Sequence, residues 1–496
     1  MDKIYIDCID CFDGKHKIDD KPLGEGGQGV VYAIKESHPK FKLALKLKRN
    51  NGQIITDEEE IRAYFENLDN LIYKPNLKDL AVTLPLASLK QDKNCKVLDE
   101  KKQLQEIQDC GYIMEYLEGM IPLSALFPSE VSNEKGFDEN LEIPPFLQVL
   151  FNKDKRSACY IAYYRSNGSL RKRLEVLANI ASVLNDLHVR GLIYGDLSHN
   201  NVFIFQNKAG VKFIDADNIE YESSNTKSIT TPDYEVPEIN GNKEFNSIYS
   251  DLYAFSILCF YLLTMAHPFK GKGLEQESWD NEEIKNIWEL AWIEDSKDSS
   301  NEAVGFGLRG DSTITKDLKA LFMQTFEDGK LDKYQRPNLS SYMLALLNAK
   351  DDVLECLECG MGYYEKLFEE CPYCDAKKPK HLLVSAFLQT PNKEMYLLRT
   401  YKESIKENEP IYLPNYLFRH LDSHDLNASF CAIKKDKNYE MIFLQEINSQ
   451  EEVWLLEPYQ EQVFNSKPYV LDIGSGIKVR VKGLSDILVE IKECNK

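Results

Sequence analysis

The sequence predicts an α+β chain in three parts, and three observations carry that reading. Residues 1–350 alternate strand-like and helix-like segments, residues 351–378 hold two close cysteine pairs, and residues 379–496 read as strands throughout. At about 150 residues per domain, a 496-residue chain has room for several such parts.

The first part opens in strands. Phe41–Leu47 alternates in the manner of a half-buried strand. Thr56-Asp57-Glu58-Glu59-Glu60 then reads as a helix start, with Thr56 as N-cap, acids in the first turn, and Ile61, Tyr64, Phe65 and Leu68 at helical spacing. Lys90 to Gln108 is polar and reads as an excursion between two strands; a second excursion runs from Pro128 to Glu142. Leu170–Val189 fits a long helix, Val202–Phe205 and Val211–Ile214 fit strands, and from Asp251 onward the pattern is mostly helical. The apolar run Leu252–Ala266 is short of the roughly 20 residues a membrane span needs, and it sits between Asp251 and His267-Pro268-Phe269, so it reads as a buried helix.

Composition narrows the partners. A net charge of -20 repels phosphate backbones and anionic lipid heads, so neither nucleic acid nor membrane is expected as a partner. The N-terminus MDKIYIDCIDCF lacks the basic-then-apolar pattern of a secretory leader. Of twelve cysteines, four form two C-x-x-C pairs and most others lie in apolar contexts, which suits a reducing compartment; the expected location is cytoplasmic. Cys8 and Cys11 form a further C-x-x-C without a second pair nearby and read as strand residues.

Four segments carry chemistry. Leu23-Gly24-Glu25-Gly26-Gly27-Gln28-Gly29-Val30-Val31-Tyr32 places Gly24, Gly26 and Gly29 in a G-x-G-x-x-G pattern that runs into a strand. A glycine turn lets backbone amides approach phosphate oxygens. A dinucleotide loop would run into a helix, so the strand favours a hairpin lid over a nucleotide. Seventeen residues after Gly29, Lys46 in Ala44-Leu45-Lys46 is placed to reach phosphates from the next strand, and Lys48 offers an alternative. An acid on the following helix would orient that lysine, and Glu58, Glu59 and Glu60 all offer one.

The third segment is Tyr194-Gly195-Asp196-Leu197-Ser198-His199-Asn200-Asn201, with Phe213-Ile214-Asp215 fourteen residues beyond Asn201. It resembles a kinase catalytic loop, Asp followed five residues later by Asn, and then the second magnesium-binding Asp. The fourth segment, Thr230-Thr231-Pro232-Asp233-Tyr234-Glu235-Val236-Pro237-Glu238, is similar to the end of a kinase activation segment.

In this order the segments resemble a protein kinase over residues 15–350. The resemblance implies a bilobal kinase-like fold and ATP/Mg2+-dependent transfer to Ser or Thr hydroxyls of a protein substrate. It implies Asp196, Lys46, Asn201 and Asp215 as catalytic residues, the last two through magnesium. Gly24, Gly26, Gly29, Val31 and Lys46 would hold ATP, with Met114 as gatekeeper and Glu115 and Leu117 in the hinge of Gly111-Tyr112-Ile113-Met114-Glu115-Tyr116-Leu117. GEGGQG, GYIMEYLEG, YGDLSHNN, FIDAD and MAHPFKG are similar to a bacterial group found beside tellurite- and stress-response genes. That likeness implies a von Willebrand A-type protein and a metal-dependent phosphatase as partners.

Three departures stand out. Tyr194-Gly195 replaces His-Arg before the catalytic Asp, Ser198 replaces the loop lysine, and Ala216-Asp217 replaces Phe-Gly. Asp217 reads either as a further metal carboxylate or as a solvated turn acid. These departures keep a nucleotide-binding pseudokinase scaffold as the competing reading.

Cys356-x-x-Cys359 and Cys371-x-x-Cys374, eleven residues apart, form the pattern of a structural zinc ribbon. Behind it, eight strands are expected: Glu394–Tyr401, Pro410–Leu413, Ser429–Lys434, Tyr439–Gln445, Val453–Leu456, Val470–Ile473, Ile477–Val481 and Ile487–Ile491. They suit a sandwich-like interaction domain. The final strands faintly resemble a forkhead-associated domain without its clear arginine and serine signature, and a β-sandwich of unassigned target is the alternative.

Overall fold

The computed structural model describes residues 4–26, 29–35, 42–73, 77, 79–98, 102–128, 141–206, 210–224, 228–241, 243–273, 287–303, 307–308, 310–418, 428–435, 437–443, 452–455, 462–464, 469–473, 476–482 and 487–494. Most of the expected excursion from Pro128 to Glu142 lies outside these residues. The chain forms two compact units: Met1–Ala125 with Ser182–Leu258, and Leu126–Ala181 with Cys259–Lys496. This partition cuts across the three consecutive segments expected from sequence.

The first unit is built on an antiparallel sheet. Its strands are β1 (Ile4–Ile9), β2 (Lys15–Gly26), β3 (Gly29–Lys35), β4 (Leu43–Lys48), β5 (Ala87–Ser88), β6 (Cys95–Leu98), β7 (Leu104–Ile107) and β8 (Gly111–Glu115). Their order is β5-β8-β4-β3-β2-β1-β6-β7. The polar stretch after Lys90 is thus a hairpin, β6–β7, whose first strand pairs with β1 and lengthens the sheet. Helix α1 (Glu58–Tyr73) buries Phe65, Leu68 and Leu71. Its cap is Asp57, whose carboxylate accepts from the Glu60 amide at 2.8 Å, one residue later than the expected Thr56. Cys8 is a buried strand residue, whereas Cys11 falls in the turn beyond β1.

A buried ionic cluster ties the added strands to the rest. Arg49, just after β4, donates to both Asp109 oxygens at 2.9 and 3.1 Å, and the Tyr5 hydroxyl of β1 donates to Asp109 at 2.5 Å. The bidentate geometry satisfies both charges, which is the condition for burying such a pair.

Three short strands complete this unit's working face. β9 (Met120–Pro122) pairs with β11 (Val202–Phe205), which pairs with β12 (Val211–Phe213). A two-residue strand, β10 (Leu192–Ile193), pairs with β13 (Glu220–Tyr221). The segment between β10 and β11 is the Asp196 loop.

The second unit packs helices on aromatic residues. Helices α2 (Gln148–Lys153) and α3 (Lys155–Ser166) precede α4 (Ser169–Val189), one residue longer than expected at its start. Phe260, Phe269, Trp292, Phe322 and Phe326 form a cluster with ring centroids 5.4–6.4 Å apart. The apolar run after Asp251 is helical over Ile248–Thr264 and largely buried; its residues up to Leu258 belong to the first unit. No helix among the described residues is long and apolar enough to cross a membrane.

The cysteine segment and the tail belong to this same unit. β14 (Val353–Glu355) pairs with β15 (Gly362–Tyr364), and the two strands flank the first cysteine pair. The tail strands are β16 (His381–Gln389), β17 (Met395–Ser404), β18 (Pro410–Pro414), β19 (Ala428–Lys435), β20 (Asn438–Phe443), β21 (Glu452–Leu455), β22 (Gln462–Phe464), β23 (Tyr469–Leu471), β24 (Ile477–Lys482) and β25 (Ile487–Cys494). They form two sheets, β17-β16-β25-β24-β21-β22 and β18-β19-β20-β23. Leu382, Val384, Val479 and Ile491 of one sheet share a core with Leu413, Phe430 and Met441 of the other, which makes a sandwich. The sheets contain β16 and β22 beyond the eight expected strands. β16, HLLVSAFLQ, is paired on both sides by β17 and β25 and is mostly apolar, without the alternation that marks a half-buried strand.

Polar contacts fasten this tail to the helices. Arg171 of α4 donates to the carbonyls of Val353 and, at 2.8 Å, Lys402, and its guanidinium lies 5.1 Å from the Tyr401 ring. Lys350 donates to the Tyr416 hydroxyl at 2.8 Å, and that hydroxyl donates to Asp351 at 2.8 Å.

Candidate functional site: Lys46, the Asp196 loop and the acids beyond β12

The glycine segment forms the hairpin between β2 and β3, pairing Gly24 with Val31 and Gly26 with Gly29. Gly27 and Gln28 lie outside the described residues. A Cβ on Gly29 would sit 2.9 Å from the Leu47 carbonyl, so glycine is required where β3 crosses β4, whereas Gly24 and Gly26 face open space. Val31 pairs with Lys46 in register, and Ala44 with Met114. Met114 is buried, Glu115 ion-pairs with Lys212, and Leu117 is half-buried in the turn leading to β9.

Lys46 is 2% exposed. Its ammonium lies 2.9 Å from Asp215 and 2.7 Å from Asp217. Lys48, two residues along the same face, lies 3.3 Å from the other Asp217 oxygen. Burial alone would pull the Lys46 pKa down; the two carboxylates outweigh it and raise it. Burial would likewise raise the Asp217 carboxyl, and Lys46 and Lys48 outweigh that and hold it well below the usual range. Asp217 is therefore neither of the expected alternatives: its side chain is 1% exposed, so it is no solvated turn acid, and it faces two ammonium groups instead of open space for a cation.

The expected helix acids are elsewhere. Glu58, Glu59 and Glu60 are exposed on the first turn of α1, and the ion pairs of Lys46 go to Asp215 and Asp217. The α1 residues facing this cluster are Tyr64, close enough to feel the charges of Asp217 and Lys46, and Asn67, which donates to the Asp217 carbonyl at 3.0 Å.

Asp196 sits on the loop after β10. It accepts from Asn201 Nδ2 at 3.0 Å, from Asn218 Nδ2 at 3.3 Å and from the Thr231 hydroxyl. Burial pushes its carboxyl above the ordinary range, while the Thr231 hydrogen bond works against that. With Nδ2 of Asn201 engaged by Asp196, the Asn201 carbonyl oxygen is the atom left for a cation. Asp215 follows β12 in the left-handed region, at φ 56 and ψ 43. Its carboxylate and the Asn201 oxygen are hard donors of the kind magnesium takes.

The Tyr194-Gly195 departure has a structural role. Tyr194 is fully buried, its ring packs 4.9 Å from Phe213, and its hydroxyl donates to the Ile214 carbonyl at 2.6 Å, with the Asn201 carbonyl at 3.2 Å. It thereby ties the Asp196 loop to Ile214, between β12 and Asp215. The Tyr194 and Gly195 amides both donate to Asp251 at 2.8 Å, and Gly195 takes φ 82 to allow it. Ser198 is buried, with no partner for its hydroxyl among the described residues.

In the second unit, Cys356, Cys359, Cys371 and Cys374 bring all four sulfurs within 4.8 Å of one another. The Cys356–Cys374 and Cys359–Cys371 sulfurs are 3.6 Å apart. Tetrahedral zinc with bonds of about 2.3 Å holds sulfurs about 3.8 Å apart, so the four thiols fit that ion. Each pair turns back on itself: Gly360 donates to the Cys356 carbonyl at 2.8 Å, and Asp375 to that of Cys371 at 2.9 Å.

Sequence comparison agrees with this geometry. Residues 152–345 match the protein kinase domain family. The chain is 23% identical over 212 residues to protein kinase YegI of Escherichia coli K12, covering 40% of this chain and 32% of that protein. It is 30% identical over 120 residues to human serine/threonine-protein kinase Nek5, covering 23% and 17%, and 26% identical over 110 residues to serine/threonine-protein kinase Pkn1 of Myxococcus xanthus, covering 20% and 16%. The chain thus spans about a third or less of the length of these relatives. The family match begins at residue 152 and so does not include the sheet bearing Lys46.

Sequence reasoning missed Asp217 as the lysine partner, Asn218 on Asp196, and the Tyr194 tie. One signal was available: the apolar stripe of α1 passes through Ile61, Tyr64, Phe65 and Leu68 and contains no acid.

Proposed function

We propose that this chain is a protein kinase transferring the γ-phosphate of ATP to a Ser or Thr hydroxyl of a protein. The observation that carries the reading is the convergence in one unit of Lys46, 2.9 Å from Asp215, with Asp196 held by Asn201 on the adjoining loop. In this reading Asp196 orients the substrate hydroxyl and accepts its proton as the new phosphoester bond forms and ADP leaves. Lys46 holds the α- and β-phosphates, the β2–β3 glycine hairpin covers them, and Met114, Glu115 and Leu117 border the base. Asn201 and Asp215 hold magnesium, which neutralises charge on the phosphates when bound.

The test is the purified full chain with labelled ATP and magnesium, scoring autophosphorylation and transfer to a basic protein. Asp196→Asn is expected to abolish transfer with ATP affinity nearly unchanged, since Asp196 acts on the hydroxyl and not on the nucleotide. Transfer surviving in that variant refutes the loop assignment. Nucleotide binding without transfer in the wild type identifies a scaffold instead.

The four cysteines are proposed to hold one structural zinc, and the β-sandwich to serve as a protein-interaction module. Von Willebrand A-type and phosphatase partners rest on motif resemblance alone and are tested by co-purification from the native cell.

A further inference from the structure

We propose that Asp217 is the residue that positions Lys46 for nucleotide, so that the acid orienting this lysine comes from the metal-binding loop and not from helix α1. The inference rests on the kinase reading and deepens it. Protein kinases ordinarily orient this lysine with a glutamate on the helix after its strand, and that pair registers whether the helix is in place. Here the helix offers no such acid. Its glutamates at 58, 59 and 60 are exposed, and its contribution at the cluster is the phenol of Tyr64 and the amide of Asn67.

Asp217 fills the role by geometry. Its Oδ1 lies 2.7 Å from Lys46 Nζ and accepts from the Tyr112 hydroxyl at 3.3 Å, while its Oδ2 lies 3.3 Å from Lys48 Nζ. Tyr112 is the residue paired with Lys46 across β4 and β8, so the carboxylate is gripped from two adjacent strands. Asp217 is only two residues beyond Asp215, and the left-handed turn at Asp215 brings both carboxylates to one ammonium. The division of labour follows from exposure. The Asp215 side chain is 19% exposed and has access to solvent and cation; that of Asp217 is 1% exposed and is closed off by lysines. The lysine therefore follows the metal loop. Helix α1 touches that loop through the neutral Asn67-to-carbonyl bond, so displacing the helix does not by itself break an ion pair of Lys46.

The experiment uses the full chain and two readouts, Mg-ATP affinity by calorimetry and phosphate transfer. Asp217→Asn keeps the shape and removes the charge. Loss of a charge-assisted contact of this kind should weaken nucleotide binding about 10- to 100-fold and lower kcat on the order of 10²-fold. The magnesium concentration for half-maximal activity should stay at the wild-type value, whereas Asp215→Asn should raise it. Adding Tyr64→Glu to Asp217→Asn returns an acid from the helix side and should recover most of the lost affinity, which a merely structural role for Asp217 would not allow. Replacing Glu58, Glu59 and Glu60 together by Ala should leave both readouts at the wild-type level. The proposal is overturned if Asp217→Asn binds nucleotide like wild type, if it raises the magnesium requirement as Asp215→Asn does, or if the triple glutamate variant loses nucleotide affinity. Affinity is read even where no phosphate is transferred, so a failure of the kinase reading and a failure of the Asp217 assignment give different results.

Discussion

Replacing Tyr194 by Phe tests whether the departure before Asp196 is a brace. The substitution keeps the ring that packs 4.9 Å from Phe213 and removes only the hydroxyl that donates to the Ile214 carbonyl at 2.6 Å. The Tyr194 side chain is fully buried, and the bond it makes is part-buried. An acceptor left unpaired in such a place costs about 1–3 kcal/mol. At about 2–4 °C per kcal/mol for a unit of roughly 200 residues, the unfolding midpoint should fall by about 2–12 °C. Ile214 immediately precedes Asp215, so slack here also moves the carboxylate proposed to hold magnesium. Misplacement of about 1 Å costs up to about 10²-fold in rate, and a loss of about tenfold in kcat is expected, with little change in the KM of a protein substrate. Thermal unfolding followed by circular dichroism and steady-state transfer at several magnesium concentrations provide the two measurements. A variant that melts within a degree of wild type, with unchanged kcat, would show that the hydroxyl braces nothing.

Purified chain should carry one zinc by elemental analysis, and Cys371→Ser with Cys374→Ser should lose it; because Arg165 of α3 donates to the Cys359 carbonyl at 2.5 Å and Ser169 of α4 accepts from the Gly362 amide at 2.7 Å, the same variant should also lower the stability of the helices around it. Zinc retained in the double variant refutes the ligand set. Burial holds the His381 imidazole below its ordinary value, so the unfolded chain takes up a proton first; the stability this confers is full above about pH 6.5 and is lost as pH falls through that value toward the folded one. His381→Phe should therefore lose less melting temperature than wild type between about pH 7.5 and about pH 5.5, and equal losses would exclude His381 as the source. Thr230→Ala should keep most of the transfer rate, since Gly195 offers no cation to a phosphate there; a loss restored by Thr230→Glu would show that loop phosphate matters.

The parts legible in the sequence are those fixed by local chemistry. The glycine hairpin, the long helix before the catalytic loop, the Asp196–Asn201 spacing and the cysteine pairs each need only a few neighbouring residues to be recognised. What was hidden depends on contacts far apart in the chain. Arg171 and Lys402 meet across 231 positions, and no periodicity shows that the cysteine segment and the sandwich fasten to α4. The strand β1 and the β6–β7 hairpin find each other across about ninety residues, so the second read only as a polar excursion.

The lysine site shows how two local departures can be a single change. Taken alone, Tyr64 in place of an acid on the buried face of α1 looks like a lost ion pair, and Asp217 in place of glycine looks like an added charge. Together they leave Lys46 with two carboxylates, Asp215 at 2.9 Å and Asp217 at 2.7 Å. A helix glutamate added to these would put a third carboxylate around one ammonium in a site with almost no solvent, and like charges so placed resist ionisation. Lys48, at 3.3 Å, already offsets part of the charge on Asp217. Tyr64 fits this environment because it fills the space of an acid without its charge, and the Tyr64→Glu exchange is expected to help only where Asp217 has been neutralised. In the wild-type background the same exchange should weaken nucleotide binding, and a gain there would show that the cluster tolerates a third acid and that the two departures are independent.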